Sequence, residues 1–132
     1  MKLEILGTTA ICGLLFAGIG GCSNGDEDIK ICVMRPTDVQ VAIDACTRLI
    51  DNPPLFDPTR HDWFVARGRH KLQAGDIKGA FSDFDEAISL SPKNPRLYEI
   101  RAKAHQQKGN QRAAERDFAR AQRLKRTSTE NP

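Results

Sequence analysis

The stretch 61–126 is one unit written twice, and this constrains the fold more than any other feature of the chain. Laying 61–92 over 95–126 at an offset of 34 residues gives eight identities: Arg67/Arg101, Gln73/Gln107, Gly75/Gly109, Ala80/Ala114, Asp83/Asp117, Phe84/Phe118, Ala87/Ala121 and Leu90/Leu124. A period of this length is that of a helix–turn–helix unit that stacks on copies of itself. Ala80 and Phe84 recur as Ala114 and Phe118, a small and a large residue four apart on one helix face. An aromatic opens each unit, Phe64 and Tyr98, and Pro92 follows the first.

The two units resemble the tetratricopeptide (TPR) repeat, whose pattern is an aromatic, Leu-Gly, Tyr, Ala-x3-Phe, Ala and Pro. The front halves read FVARG at 64–68 and YEIRA at 98–102. They depart from the pattern where the family prefers Leu, at Arg67 and Arg101, and where it prefers Tyr, at Lys71 and His105. The resemblance implies an all-α fold, a short TPR-like α-solenoid of antiparallel helices, and a scaffold that binds other proteins. Such a fold does not by itself name a function.

A third unit is legible in part. In 38–51, Val39, Ala42, Ile43, Cys46, Leu49 and Ile50 follow the i, i+3, i+4, i+7 spacing of one helix face. Ala42 and Cys46 stand 38 residues before Ala80 and Phe84, so this is the back helix of a unit with four residues inserted after it. No helical pattern marks 23–37, which contains Pro36, so its front helix is expected to be missing. Asp38 or Thr37 can cap 38–51. Asp57-Pro58 and Asn94-Pro95 open helices with proline where its absent N–H costs nothing. Gly75 and Gly109 close the front helices. The expectation is about five helices, at 38–51, 58–74, 77–90, 95–108 and 111–126, forming one half repeat and two full repeats. The outer stripe of the back helices is Val39, Ile43, Ile50 in the first unit and Ile77, Phe81, Ile88 in the second. It turns to Gln111, Glu115, Gln122 in the third, the polar face of a terminal repeat. Residues 127–132 are expected to be a disordered tail.

The amino end is organised for export. Lys2 precedes an apolar run from Ile5 to Ile19, then Gly20-Gly21-Cys22 and the polar SNGDED. Residues 1–22 therefore read as a signal peptide. The cysteine after a small-residue pair resembles the bacterial lipoprotein signal, in which it becomes the acylated amino terminus. By that resemblance Cys22 is the lipidation site, the protein faces the periplasm on a lipid anchor, and Ser23 favours the outer membrane. The alternatives are an ordinary cleaved signal or an uncleaved anchor. Residues 23–37, with Asp26, Glu27 and Asp28, read as a polar tether and loop, and 38–126 as the helical domain.

Cys32 and Cys46 are the remaining pair in an exported chain, and they read as a disulfide in place of the missing front helix. The alternative is two buried thiols that never meet. Charge is uneven: three Lys/Arg against seven Asp/Glu over 23–57, then sixteen against nine from 58 onward. The last helix carries Arg112, Arg116, Arg120, Arg123, Lys125 and Arg126. These form either a basic surface for an acidic partner or anionic lipid, or a solvated face with cations at the end the helix dipole favours.

No HExxH, CxxC or glycine-rich phosphate loop is present, and His61, His70 and His105 have no ligand spacing. The reading is therefore non-enzymatic, with no metal, cofactor or nucleic acid, and Trp63 belongs in the core rather than on a ligand platform. In the TPR family the front helices line the groove. That puts Arg69, Gln73, Arg96, Lys103 and Gln107 there, several of them cationic and suited to an acidic peptide or a carboxylate end. The function expected is a protein–protein interaction or adaptor module at the cell envelope. The alternative is a pilot lipoprotein for assembly of a secretion or outer-membrane complex.

Overall fold

A computed structural model describes residues 24–34, 38–53 and 57–130. Among these described residues there are six helices: α1 Asn24–Val33, α2 Val39–Asp51, α3 Arg60–Ala74, α4 Ile77–Leu90, α5 Pro95–Gln107 and α6 Gln111–Glu130. They pair as three antiparallel hairpins, α1 with α2, α3 with α4 and α5 with α6, stacked in chain order. The fold is all-α and TPR-like.

Local chemistry sets most of the boundaries. Asp38 caps α2 by accepting from the Gln40 amide at 2.8 Å, Asp76 caps α4 through the Gly79 amide at 2.9 Å, and Asn94 caps α5 through the Arg96 amide at 3.1 Å. Gly75 and Gly109 sit at φ +86° and +76°, the left-handed conformation that ends α3 and turns the chain after α5. One start differs from expectation. Helix α3 begins at Arg60 and not at Pro58, because Asp57 accepts from the Thr59 amide and hydroxyl at 2.9 and 2.7 Å and holds 57–59 in a turn.

Two larger corrections concern the ends. Most of the expected tether, 24–33, is helical, so the unit read as half a repeat is whole and the array holds three. The buried face of α1 consists of Asp28 and Cys32, four residues apart. An acid and a lone cysteine make no hydrophobic stripe, and tertiary bonds hold this helix. Arg48 of α2 donates to both Asp28 oxygens, the shortest contact being 2.6 Å, and the Cys32–Cys46 disulfide joins α1 to α2. His70 of α3 lies 2.9 Å from the Cys32 carbonyl oxygen. At the other end α6 continues to Glu130, so 127–130 of the expected tail are helical, with Thr127 and Ser128 hydroxyls bonded back to the Leu124 carbonyl. Residues 131–132, and residues 1–22, which the sequence reads as a signal peptide ending at Cys22, lie outside the described residues.

Inside each hairpin the repeated residues meet. Phe84 is 1 % exposed and lies against Ala80 and Gly68, where a methyl on Gly68 would stand 2.7 Å from the Phe84 ring. The third repeat has Ala102 in place of Gly68, and among the described residues no helix packs beyond α6; there Phe118 is only partly buried. Trp63 is likewise half-buried, packed between two core clusters with its indole N–H donating to Asp57 at 2.7 Å. Gln111, Glu115 and Gln122 are exposed, whereas Ile77, Phe81 and Ile88 are partly covered.

Candidate interaction groove

Arg67 and Arg101, the departures from the TPR pattern, have a structural use that the sequence reading did not assign. Arg67 donates to both oxygens of Asp83 at 3.0 and 2.8 Å, and Arg101 to both oxygens of Asp117 at 2.8 and 2.7 Å. Each is a fork-on-fork ion pair closing its own hairpin. Each arginine also reaches back to the preceding repeat, Arg67 to the Thr47 hydroxyl at 3.2 Å and Arg101 to Asp85. Each packs its guanidinium near the aromatic that opens its unit, 5.4 Å from the Phe64 ring centroid and 6.0 Å from that of Tyr98. The bond to Asp117, outweighing the opposing effect of burial, raises the Arg101 pKa above its ordinary value. The signal was present in the sequence: all four paired residues are among the eight identities.

With these arginines turned into the hairpins, the front helices present a different set to the concave side. A groove of about 880 Å³ is lined by the end of α1, by α3 and by both ends of α5. Arg69, Gln73, Arg96 and Gln107 line it, so four of the five expected groove residues come together. Lys103 does not. It stands about 20° around α5 from Arg96, exposed, and outside the lining. Val33 and Met34, both 65 % exposed, add an apolar lip from the helix that the sequence did not reveal, and Asp62 adds one acid.

Among the described residues, neither Arg69 nor Arg96 has a side-chain ion pair. Desolvation in the groove, and then the positive charge of Arg96, lower the Arg69 pKa, against a weaker opposite pull from Asp62. The groove thus holds two uncompensated guanidiniums from successive repeats beside an apolar rim. Among the described residues no three His, Cys, Asp or Glu side chains gather as a metal set, and no helix is long and apolar enough to cross a membrane.

Comparison with solved structures finds the same architecture in MamA, whose crystal structure superposes with a TM-score of 0.61 at 23 % sequence identity. The match covers 80 % of this chain and 57 % of MamA, so the chain spans little more than half the length of that neighbour. At this identity the likeness concerns the fold alone. No protein-family model matches the chain, and no curated protein matches it. The all-α TPR-like solenoid therefore rests on the helical order and on this structural neighbour.

Proposed function

We propose that the chain is an exported interaction module of the bacterial cell envelope, lipid-anchored through Cys22 with the outer membrane favoured. Its groove takes an acidic peptide or the carboxylate end of a partner protein. The observation that carries the groove reading is the Arg69–Arg96 pair. Two like charges lining one groove repel each other, and an anion entering between them relieves that repulsion. The apolar lip at Val33 and Met34 gives such a ligand a place for a neighbouring hydrophobic side chain. Nothing in this reading requires catalysis.

The test is calorimetric titration of the protein with short peptides ending in acidic or neutral residues. The expected result is saturable binding of the acidic peptides alone, lost in the Arg69→Glu/Arg96→Glu variant and retained in Lys103→Glu. Equal binding by the groove variant removes the groove from the reading. The anchor is tested separately: Cys22→Ser is expected to leave the membrane fraction or to stall in processing. Unchanged fractionation and migration would mean that Cys22 carries no lipid.

A further inference from the structure

Helix α6 carries a charged face that the hairpin core leaves free. Arg112, Arg116, Arg120, Arg123 and Arg126 are all exposed. At 3.6 residues per turn they share about 120° of arc, on the side away from buried Ala114, Asp117 and Ala121. None has a side-chain ion pair among the described residues, whereas Arg48, Arg67 and Arg101 each hold a carboxylate. The helix-dipole reading of these cations explains those near the carboxyl end of α6, where the dipole favours positive charge. It gives no reason for Arg112 and Arg116 in the first two turns.

The topology fixes where this row leads. Arg48 near the end of α2 meets Asp28 near the start of α1, Arg60 at the start of α3 donates to the Ile50 carbonyl near the end of α2, and Lys125 of α6 pairs with Glu99 in the first turns of α5. The starts of α1, α3 and α5 therefore share one edge with the ends of α2, α4 and α6. On that edge lie Arg120, Arg123 and Arg126, exposed Lys93 in the turn before α5, and Leu90, 43 % exposed at the end of α4. Helix α1 begins on the same edge, at Asn24.

We infer that this edge docks on an anionic membrane surface, with Arg120, Arg123 and Arg126, in the carboxyl-terminal half of the α6 row, meeting phospholipid headgroups. Neither described cavity draws a lining residue from α6. A row of one sign matches by charge the closely spaced phosphates of an anionic lipid surface. The anchoring proposal supplies a reason for this edge to face lipid, but the cationic face stands without it.

The experiment uses the full chain carrying Cys22→Ser, so that no acyl chain contributes. Its partition into vesicles of phosphatidylglycerol mixed with phosphatidylcholine is compared with partition into phosphatidylcholine alone. The apolar run at 5–19, with Lys2 before it, is the same in every variant, so the change in the ratio between variants reads the cationic face. The expected ratio is large and collapses as salt rises. Arg120→Gln/Arg123→Gln/Arg126→Gln should lower it on the order of 100-fold. Lys78→Gln/Lys103→Gln/Lys108→Gln removes the same net charge elsewhere and should leave most of it. Equal loss in both variants means net charge alone is read, and overturns the proposal. So does a ratio near one for the unchanged protein, accompanied by loss of an acidic protein partner in the arginine variant, which would make the row a protein-docking face. A change in fractionation on mutating Cys22 in cells bears only on the anchor.

Discussion

Arg101 on α5 and Asp117 on α6 form the same two-pronged ion pair that Arg67 and Asp83 form one repeat earlier, with Nη2 of Arg101 2.7 Å from a carboxylate oxygen. Asp117 is 7 % exposed. Such a pair need not add stability over apolar residues of similar size, but removing one member strands the other. Arg101→Ala is expected to cost about 3 kcal/mol, the lower end for a buried pair because the arginine is part-exposed. The double change Arg101→Leu/Asp117→Leu should recover most of that loss, since Leu is what the resembling family places at the arginine position. Urea melts of the single and double variants check this. A double variant as weak as the single one would show that the pair does more than neutralise itself.

The disulfide joins cysteines 14 apart in sequence, and both are fully buried. A loop of that size is worth about 3 kcal/mol in the chain-entropy account. Its loss should also loosen α1, whose other ties include the Asp28–Arg48 pair, the His70 contact with the Cys32 carbonyl and the packing of Ile31. Peptide mass mapping without reductant is expected to recover Cys32 joined to Cys46, and reduction should lower the melting temperature. Finding both thiols free to alkylate in protein purified without reductant contradicts the pairing.

His105 stacks on Phe81 at 4.3 Å between ring centroids, with its Nδ1 buried and unpartnered. Burial lowers its pKa. Asp117 and Asp85 pull the other way, and Arg101 and Arg116 add to the depression. The folded state thus favours the neutral ring. Its contribution is complete above the unfolded value of about 6.5 and falls away as pH drops below that value toward the depressed folded one. His105→Phe keeps the stack and removes the titration. The stability difference between the variant and the parent should widen in the variant's favour as pH falls from 7 to 5, read by denaturant melts. A difference that stays flat with pH would show that the ring is not held neutral.

Equivalent phenylalanines should not be equivalent in energy. Phe84 is closed in by Gly68, Ala80 and the following repeat, and Phe84→Ala should cost about 3–5 kcal/mol. Phe118 is partly exposed on the terminal hairpin, and Phe118→Ala should cost clearly less. Glu115 holds the place of Phe81 on the outer face, and Glu115→Ala should change stability by no more than about 0.5 kcal/mol. Thermal melts of the three variants order them. A Glu115 variant as weak as the Phe84 variant would reveal a covered outer face.

Much of this fold is written locally. The 34-residue period, the apolar stripe of 38–51, the caps at Asp38, Asp76 and Asn94, and the closing glycines each act within a few residues, so five helices were legible in the sequence. The ion-pair ladder was legible only as unexplained identities, because Arg67 and Asp83 lie sixteen residues apart on different helices and only the closed hairpin brings them together. Helix α1 was not legible. Its buried side is an acid and a cysteine, whose partners Arg48 and Cys46 lie well along the chain, so no periodic signal exists until α2 supplies them. The groove follows the same division. The groove residues on α3 and α5 were expected from the resemblance to the TPR family, whose front helices line the groove, but the lip from Val33 and Met34, and the exclusion of Lys103, depended on how three hairpins stack. Sequence periodicity fixes which face a helix buries; which faces then enclose a space is decided by packing between helices that the chain places far apart.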